Sequence, residues 1–148
     1  MRSLTLVLVV PCLIVVGLMV YTVWQVIARG RRFRKRPAMH FEEWFQQECR
    51  GRQLNPELVR MVLEALAQDI NVDPSQFRLR DSFDREFALG ARWVGLSDIE
   101  KEDFPDAVVA ILRYHGVKDW KWPGRRGKTL GNLLEEIDRA VREHSKGL

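Results

Sequence analysis

Few side chains in this 148-residue sequence are spaced for catalysis or metal binding. The three histidines, His40, His115 and His144, lie far apart and are not in metal-ligand spacing with either cysteine. A Gly-Lys-Thr sequence ends at Thr129, but Trp122 stands where a phosphate-binding loop needs its first glycine. We therefore predict that the protein is not an enzyme and holds no metal ion.

One hydroxyl group, that of Ser97, lies at the start of a predicted helix. Ser97 and Glu100 have the Ser-x-x-Glu spacing of a capping box, in which each side chain accepts a hydrogen bond from the other residue's backbone N–H. Acidic side chains surround this position, and they predict either a solvated helix face or a docking surface for a protein partner. The acidic residues are Asp98, Glu100, Glu102, Asp103 and Asp106.

Start signals define two further helices. Residues 55–57, Asn-Pro-Glu, supply a cap, a first-turn proline and an acid facing the positive end of the helix dipole. This helix is predicted to end near Asp69 to Asn71. Thr129 caps another amphipathic helix, which is predicted to run to about Glu143.

The remaining elements complete a helical domain. A third helix is predicted to begin at Ser97 or Asp103 and to end before Gly116, with Pro105 either kinking it or separating two helices. Residues 71–95 show no sustained period and predict a long loop, with a short helix around 84–89. Since alternation typical of strands is absent, the sequence predicts an all-α domain of three main helices with a long first connection.

Residues 3–28 contain no charged side chain and are long enough to cross a ~30 Å hydrocarbon layer as one helix. Six cations follow within eight positions, against one arginine before the run, which predicts an external amino terminus and a cytoplasmic remainder. A cleaved signal peptide is the alternative, although the apolar run is about twice the ~7–15 residues usual for a signal core. The cations expected to bind anionic lipid headgroups are Arg29, Arg31, Arg32, Arg34, Lys35 and Arg36.

The basic character of the chain belongs to its amino-terminal part. Residues 1–41 contain seven Lys and Arg and no acid, which leaves 17 Lys and Arg against all 20 acids in residues 42–148, a net charge of −3. The pI of 9.4 therefore gives no argument for nucleic-acid binding. Cys12 and Cys49 are not expected to pair, as suits a domain facing a reducing compartment.

Aromatic residues follow the basic run at helical spacing. Phe41, Trp44 and Phe45 predict a connecting helix between residues 37 and 53 that packs on the following domain, with the membrane surface as the alternative. The predicted organisation is a transmembrane anchor at 1–28, a basic juxtamembrane segment and linker helix at 29–54, and a helical domain at 55–148.

The loop from Trp120 to Lys128 combines tryptophans with cations. Aromatic rings and cations together can stack on and neutralise single-stranded nucleic acid, which is a weaker alternative for the function of this chain. The other interpretations are that the tryptophans fold back onto the core, or that the loop contacts a membrane or protein.

Three phrases between Leu58 and Val141 resemble those of an acyl carrier protein. They are Asn71-Val72-Asp73-Pro74-Ser75-Gln76, Asp81-Ser82-Phe83 and Thr129-Leu130-Gly131-Asn132-Leu133-Leu134. The resemblance implies a small carrier-like helical bundle with a long first loop. In that family, a serine at the start of the second helix carries a phosphopantetheine arm that holds the acyl group.

The Asp-Ser-Leu motif around that serine is not preserved. Trp93 or Phe104 takes the place of the serine, depending on the end from which the phrases are aligned, and Ser97 is flanked by Leu96 and Asp98. The resemblance thus implies a module that keeps the carrier fold without its prosthetic group and docks a cytoplasmic partner. The alternative is a genuine acyl carrier with phosphopantetheine on Ser97.

Overall fold

The computed structural model of this chain describes residues 2–83, 86–87, 103–122 and 128–147. Five α-helices and one short 3₁₀ helix form this part of the chain, and its residues contain no β-strand. The all-α fold class predicted from the sequence is therefore confirmed. The helices are α1 (Arg2–Arg34), α2 (Phe41–Glu48), α3 (Pro56–Ile70), α4 (Asp103–Tyr114) and α5 (Leu130–Lys146), and the 3₁₀ helix covers Pro74–Gln76.

Local capping accounts for the bounds of α3 and α5. The Asn55 side chain accepts hydrogen bonds from the first backbone N–H groups of α3, the shorter of them 3.0 Å long. Asn71 ends α3 in the left-handed conformation with a φ of 57°. Thr129 Oγ1 accepts a 3.3 Å bond from Asn132 N. Both predicted starts are confirmed, and α5 continues past its predicted end near Glu143.

Pro105 lies inside α4, which is one continuous helix over Asp103–Tyr114. The start signal at Ser97 and the short helix predicted around residues 84–89 lie outside the described residues.

The core joins α3, α4 and α5 to the segments on either side of α3. Leu58, Leu63, Leu112 and Leu134 are each no more than 1% exposed. A row of aromatic rings crosses this core, with neighbouring centroids 4.8 to 6.4 Å apart. In order of contact, the rings are those of Phe77, Phe33, Phe87, Phe83, Phe104 and Trp122.

α1 differs along its length in how its side chains are covered. From Val10 to Ile27, eleven large apolar side chains are exposed, Leu13 by 66% and Met19 by 65%, whereas Leu18 is half-buried. Phe33, one turn from the end of the same helix, is 0% exposed. Over the residues that the structure describes, no helix combines the length and apolarity needed to cross a bilayer.

Candidate functional site

The serine and most of the acidic residues singled out in the sequence lie outside the described residues. These are Ser97, Asp98, Glu100 and Glu102. Asp103 is the first residue of α4, and Asp106 is exposed on the same helix. The structure therefore brings one member of the predicted acidic cluster, Asp106, to the surface of a defined element.

The exposed face of α4 continues from Asp106 along the helix. Asp106, Ala110, Arg113 and Tyr114 are exposed, at the spacing of one helical stripe. Tyr114 is 76% exposed, the largest exposed fraction among the large apolar side chains of the described residues. An uncovered aromatic ring beside one acid and one base has the composition of a protein-contact surface.

Two of the three carrier-like phrases lie side by side. Ser82 and Thr129 form an isolated antiparallel bridge, in which Leu130 N donates to Asp81 O at 2.9 Å and Phe83 N donates to Lys128 O at 3.0 Å. Ser75 is buried, and its Oγ donates to Asp73 at 2.5 Å while accepting from Met39 N at 3.0 Å. The hydroxyl of Ser75 is thus used within the fold.

The end of the basic run is bound inside the domain. Arg36 Nη1 donates to Asp81 Oδ2 at 2.5 Å and to the Gln76 carbonyl at 3.0 Å. Arg36 Nη2 donates to Asp81 Oδ1 at 2.9 Å. The Asp81 side chain is 3% exposed and also accepts a 2.7 Å bond from Arg78 N. The hydrogen bond to Asp81 raises the pKa of the Arg36 guanidinium above its ordinary value, although partial burial acts in the opposite direction. Arg36, assigned to lipid headgroups from the sequence, binds within the domain.

Residues 33–44, which we call the junction segment, are fixed on the 3₁₀ helix and the residues after it. The Phe33 ring packs against Phe77 at 5.2 Å, and Trp44 Nε1 donates to the Phe77 carbonyl at 2.8 Å. Gln76 Nε2 donates back to Arg36 O at 3.0 Å. The core thus includes residues from the segment 29–54 that the sequence analysis treated as juxtamembrane and linker. The prediction that the aromatic helix packs on the domain is confirmed by the complete burial of Trp44.

The other cations of the basic run are placed differently from Arg36. Arg34 Nη2 donates to Asn71 O at 3.2 Å and remains exposed. Arg31, Arg32 and Lys35 are exposed, and nothing is described of the side chain of Arg29. Their binding to lipid stays a prediction.

The two cysteines lie in contrasting surroundings. Cys12 is exposed on α1, whereas Cys49 is 3% exposed directly after α2. Burial raises the pKa of the Cys49 thiol to about 11, with the nearby charge of Arg52 acting against it. Cys49 is therefore a packing residue, and the raised pKa disfavours the thiolate, which is the reactive form.

The three histidines do not form a shared site, although His115 and His144 both lie near the end of α4. Among the described residues, no group of three or more His, Cys, Asp or Glu could hold a metal ion. His115 Nε2 is buried and has no hydrogen-bond partner in this part of the chain. Gly116 has a φ of 88°, and a Cβ there would come within 2.8 Å of His144 Nε2, so the position requires glycine.

The tryptophans of the 120–128 loop face the protein. Trp120 and Trp122 are partly buried against the core, and their rings are 6.0 Å apart in an edge-on arrangement. Trp122 also packs edge-on against Phe104. These contacts favour the interpretation in which the tryptophans fold back onto the core, since rings packed edge-on do not offer a stacking platform to bases.

The residue that sequence reasoning missed is Phe33. It is the one apolar side chain within the run of cations from Arg29 to Arg36, and that exception is the signal that could have placed it in the core. The pairing of Arg36 with Asp81, 45 positions away, left no comparable mark on the sequence.

Comparisons with protein-family models, with curated proteins and with solved structures find no match to this chain. Function is therefore inferred from the residues and contacts described above.

Proposed function

We propose that this chain is a membrane-anchored, non-catalytic interaction protein. Its helical domain is held at the cytoplasmic face of the membrane by α1 and docks a protein partner there. The observation that carries the proposal is the contrast within α1, whose large apolar side chains are exposed over most of the described length and buried at its end.

The exposed apolar side chains of α1 call for a non-aqueous environment. Eleven large hydrophobic residues between Val10 and Ile27 are at least 44% exposed, and together they make a contiguous apolar surface. Soluble monomers rarely leave so large an apolar patch uncovered. The uncharged run of residues 3–28, with cations on its carboxyl side, matches lipid as the cover and a cytoplasmic location for the domain.

The junction segment then sets the distance between bilayer and domain. Arg34 lies six positions after Ala28, or about 9 Å along a helix. Phe33 within this interval is already in the domain core. The domain therefore lies directly at the headgroup layer, without a flexible linker between it and the anchor.

The docking surface we assign is the exposed stripe of α4, from Asp106 to Tyr114. Tyrosine is among the residues that most commonly dominate the energy of protein interfaces. Asp106 and the predicted acidic neighbours before it would attract a basic partner. A domain fixed at the membrane would hold this stripe at a constant height above the bilayer.

Extraction and topology measurements test the anchor. We expect the full-length protein to stay in the membrane pellet at alkaline pH and to keep its amino terminus. An impermeant thiol reagent applied from the cytoplasmic side should label an introduced cysteine at exposed Lys118 in a Cys12→Ser background. Release from the membrane, or labelling of Lys118→Cys only from the external side, would contradict the proposal.

Site-specific photo-crosslinking tests the docking stripe. A photoreactive phenylalanine in place of Tyr114 should give a discrete cross-linked species in cells, and Asp106→Lys should remove it. The matched control places the same residue at Arg139, which is exposed on α5. Equal cross-linking at both positions would argue against a stripe on α4.

A second candidate is an acyl carrier that bears phosphopantetheine on Ser97. The observation that favours it is the pairing of two of the three carrier-like phrases, through the bridge of Ser82 with Thr129. Intact-mass measurement after incubation with a phosphopantetheinyl transferase tests it. An added arm that is absent from Ser97→Ala would establish the carrier, and an unchanged mass would leave the interaction protein.

A further inference from the structure

We propose that the groove formed by residues 48–52, residues 78–80 and Thr129 binds the headgroup of an anionic phospholipid from the cytoplasmic leaflet. This inference rests on the proposed membrane anchoring of the chain. The groove has a volume of about 510 Å³ and is lined by Glu48, Arg52, Arg78, Leu79, Arg80 and Thr129.

The charge of the groove runs against that of the domain. Three arginines and one glutamate line it, a formal charge of +2, whereas residues 42–148 as a whole carry −3. A cationic concavity on a mildly anionic domain focuses the attraction of an anion on one place. A phosphodiester headgroup has the charge and the hydrogen-bond acceptors that guanidinium groups bind best.

The three arginines differ in how many of their side-chain N–H groups already donate hydrogen bonds within the protein. Arg78 is committed to the fold, because Nη1 donates to the carbonyls of Ser75 and Phe77, both at 2.8 Å, and Nε lies 3.4 Å from Glu48. Arg52 pairs with Glu135 through Nη1 alone, and its side chain is 40% exposed.

Arg80 is the cation available to a ligand. It is exposed, and its side chain makes no ion pair or hydrogen bond with the described residues. Thr129 Oγ1 accepts a bond from Asn132 N, which leaves its hydroxyl hydrogen to donate. Arg80 and Thr129, with the unused N–H groups of Arg52, therefore form one set of donors around the groove.

The position of the groove identifies the source of the anion. Arg80 is next in sequence to Asp81, whose carboxylate Arg36 binds two residues after α1 ends. Since Arg34 lies about 9 Å beyond Ala28 along the helix axis, the groove opens near the headgroup layer. Phospholipid headgroups are present there at far higher local concentration than a soluble anion.

The test uses full-length protein in phosphatidylcholine nanodiscs titrated with phosphatidylglycerol. Native mass spectrometry gives the fraction of protein that retains one phosphatidylglycerol molecule. Arg80→Gln should raise the apparent Kd about fivefold, the change expected for one cation at an anionic surface. Lys118→Gln, an exposed cation on the loop after α4, is the matched control and should change the Kd less than twofold.

Each outcome has a separate meaning. Equal binding by wild type and Arg80→Gln, or equal weakening by both variants, would contradict headgroup binding in the groove but would not affect the proposed anchor. Complete displacement of phosphatidylglycerol by millimolar inorganic phosphate would contradict the claim that the groove binds a lipid headgroup in preference to a soluble anion. Release of the protein from membranes at alkaline pH would overturn the proposed function and this inference together. Because Arg80 makes no described contact, its replacement should leave the near-ultraviolet circular dichroism unchanged, and a changed spectrum would contradict this assignment of the side chain.

Discussion

The two parts of α1 present the same kinds of side chain to opposite surroundings. Leu13 and Met19 are about two-thirds exposed, whereas Phe33, on the same helix, is completely buried by the domain. Apolar area gains stability only when it leaves water, at about 25 cal/mol per Å². Phe33 obtains that gain from the protein core, while the earlier residues need lipid or another apolar partner.

This difference changes how the helix is understood. An anchor that ended at the membrane surface and a domain that began later would be joined by a flexible tether. Here the end of α1 contributes a ring to the domain's aromatic row, and Arg36 continues the attachment to buried Asp81. The exposed part of α1 and its buried end are therefore expected to respond differently to mutation, although they belong to one continuous helix.

The largest effect should come from Phe33→Ala. Removing a fully buried phenylalanine costs about 3–5 kcal/mol in the free energy of unfolding, because transfer energy is lost and a cavity remains. Leu13→Ala, on the exposed part of α1, should change the unfolding of the domain by less than about 0.5 kcal/mol. Urea unfolding of the full-length proteins in micelles, followed by near-ultraviolet circular dichroism, measures both. Similar losses for the two variants would remove the distinction between the two parts of the helix.

Asp81→Asn should have the next largest effect. It leaves the Arg36 guanidinium without its charged partner, and a cost of about 2–3 kcal/mol is expected, somewhat below that for a completely buried pair. The matched control is Glu42→Gln, which breaks the exposed pair with Arg60 and should cost less than about 1 kcal/mol. If both variants unfolded at the same urea concentration, the junction would not depend on the buried pair.

The cysteines provide one probe for each environment. Folding raises the pKa of the Cys49 thiol from 9.0 to about 11. Its contribution to the free energy of unfolding is therefore fully present below pH 9. That free energy falls as pH rises from 9 to 11, by at most about 1.4 kcal/mol per pH unit. Cys49→Ala should lack this dependence.

In vesicles, an impermeant maleimide should reach Cys49 only in denaturant and should not reach Cys12, which we place in lipid. Labelling of Cys12 in native vesicles would contradict that placement.

Trp44→Phe should also destabilise the domain. The change removes the 2.8 Å bond from the indole N–H to the Phe77 carbonyl, a net loss of about 1 kcal/mol, and the smaller ring leaves part of a fully buried site empty, which adds to that cost. Trp24→Phe, at a position 59% exposed on α1, is the control and should leave domain unfolding unchanged. A larger cost for Trp24→Phe than for Trp44→Phe would reverse the expected order.

Local chemistry made part of the fold predictable. The starts of α3 and α5 follow from Asn55 and Thr129, whose side chains bond to N–H groups only two or three residues away. The end of α3 at Asn71 follows from the tolerance of asparagine for the left-handed conformation. Such signals need no knowledge of the rest of the chain.

The attachment of α1 to the domain could not be predicted in this way. Phe33 meets Phe77, Arg36 meets Asp81, and Trp44 meets the Phe77 carbonyl, over separations of 33 to 45 positions. A cationic run after an apolar segment is typical of a lipid contact, and the pattern does not distinguish a cation that faces lipid from one that binds a buried carboxylate. Asp106, one residue of the proposed docking stripe, was singled out from the sequence, but the exposure of Tyr114 depends on how α4 packs.

The most direct test of the account compares the surroundings of Leu13, within α1, with those of Lys35, the residue directly after α1. Spin labels at Leu13→Cys and Lys35→Cys, each in a Cys12→Ser background, are compared in vesicles by EPR accessibility to oxygen and to a water-soluble nickel complex. The account predicts high oxygen and low nickel accessibility at position 13, with the reverse at position 35. High nickel accessibility at position 13, equal to that at position 35, would show that this part of α1 lies in water and would contradict the account.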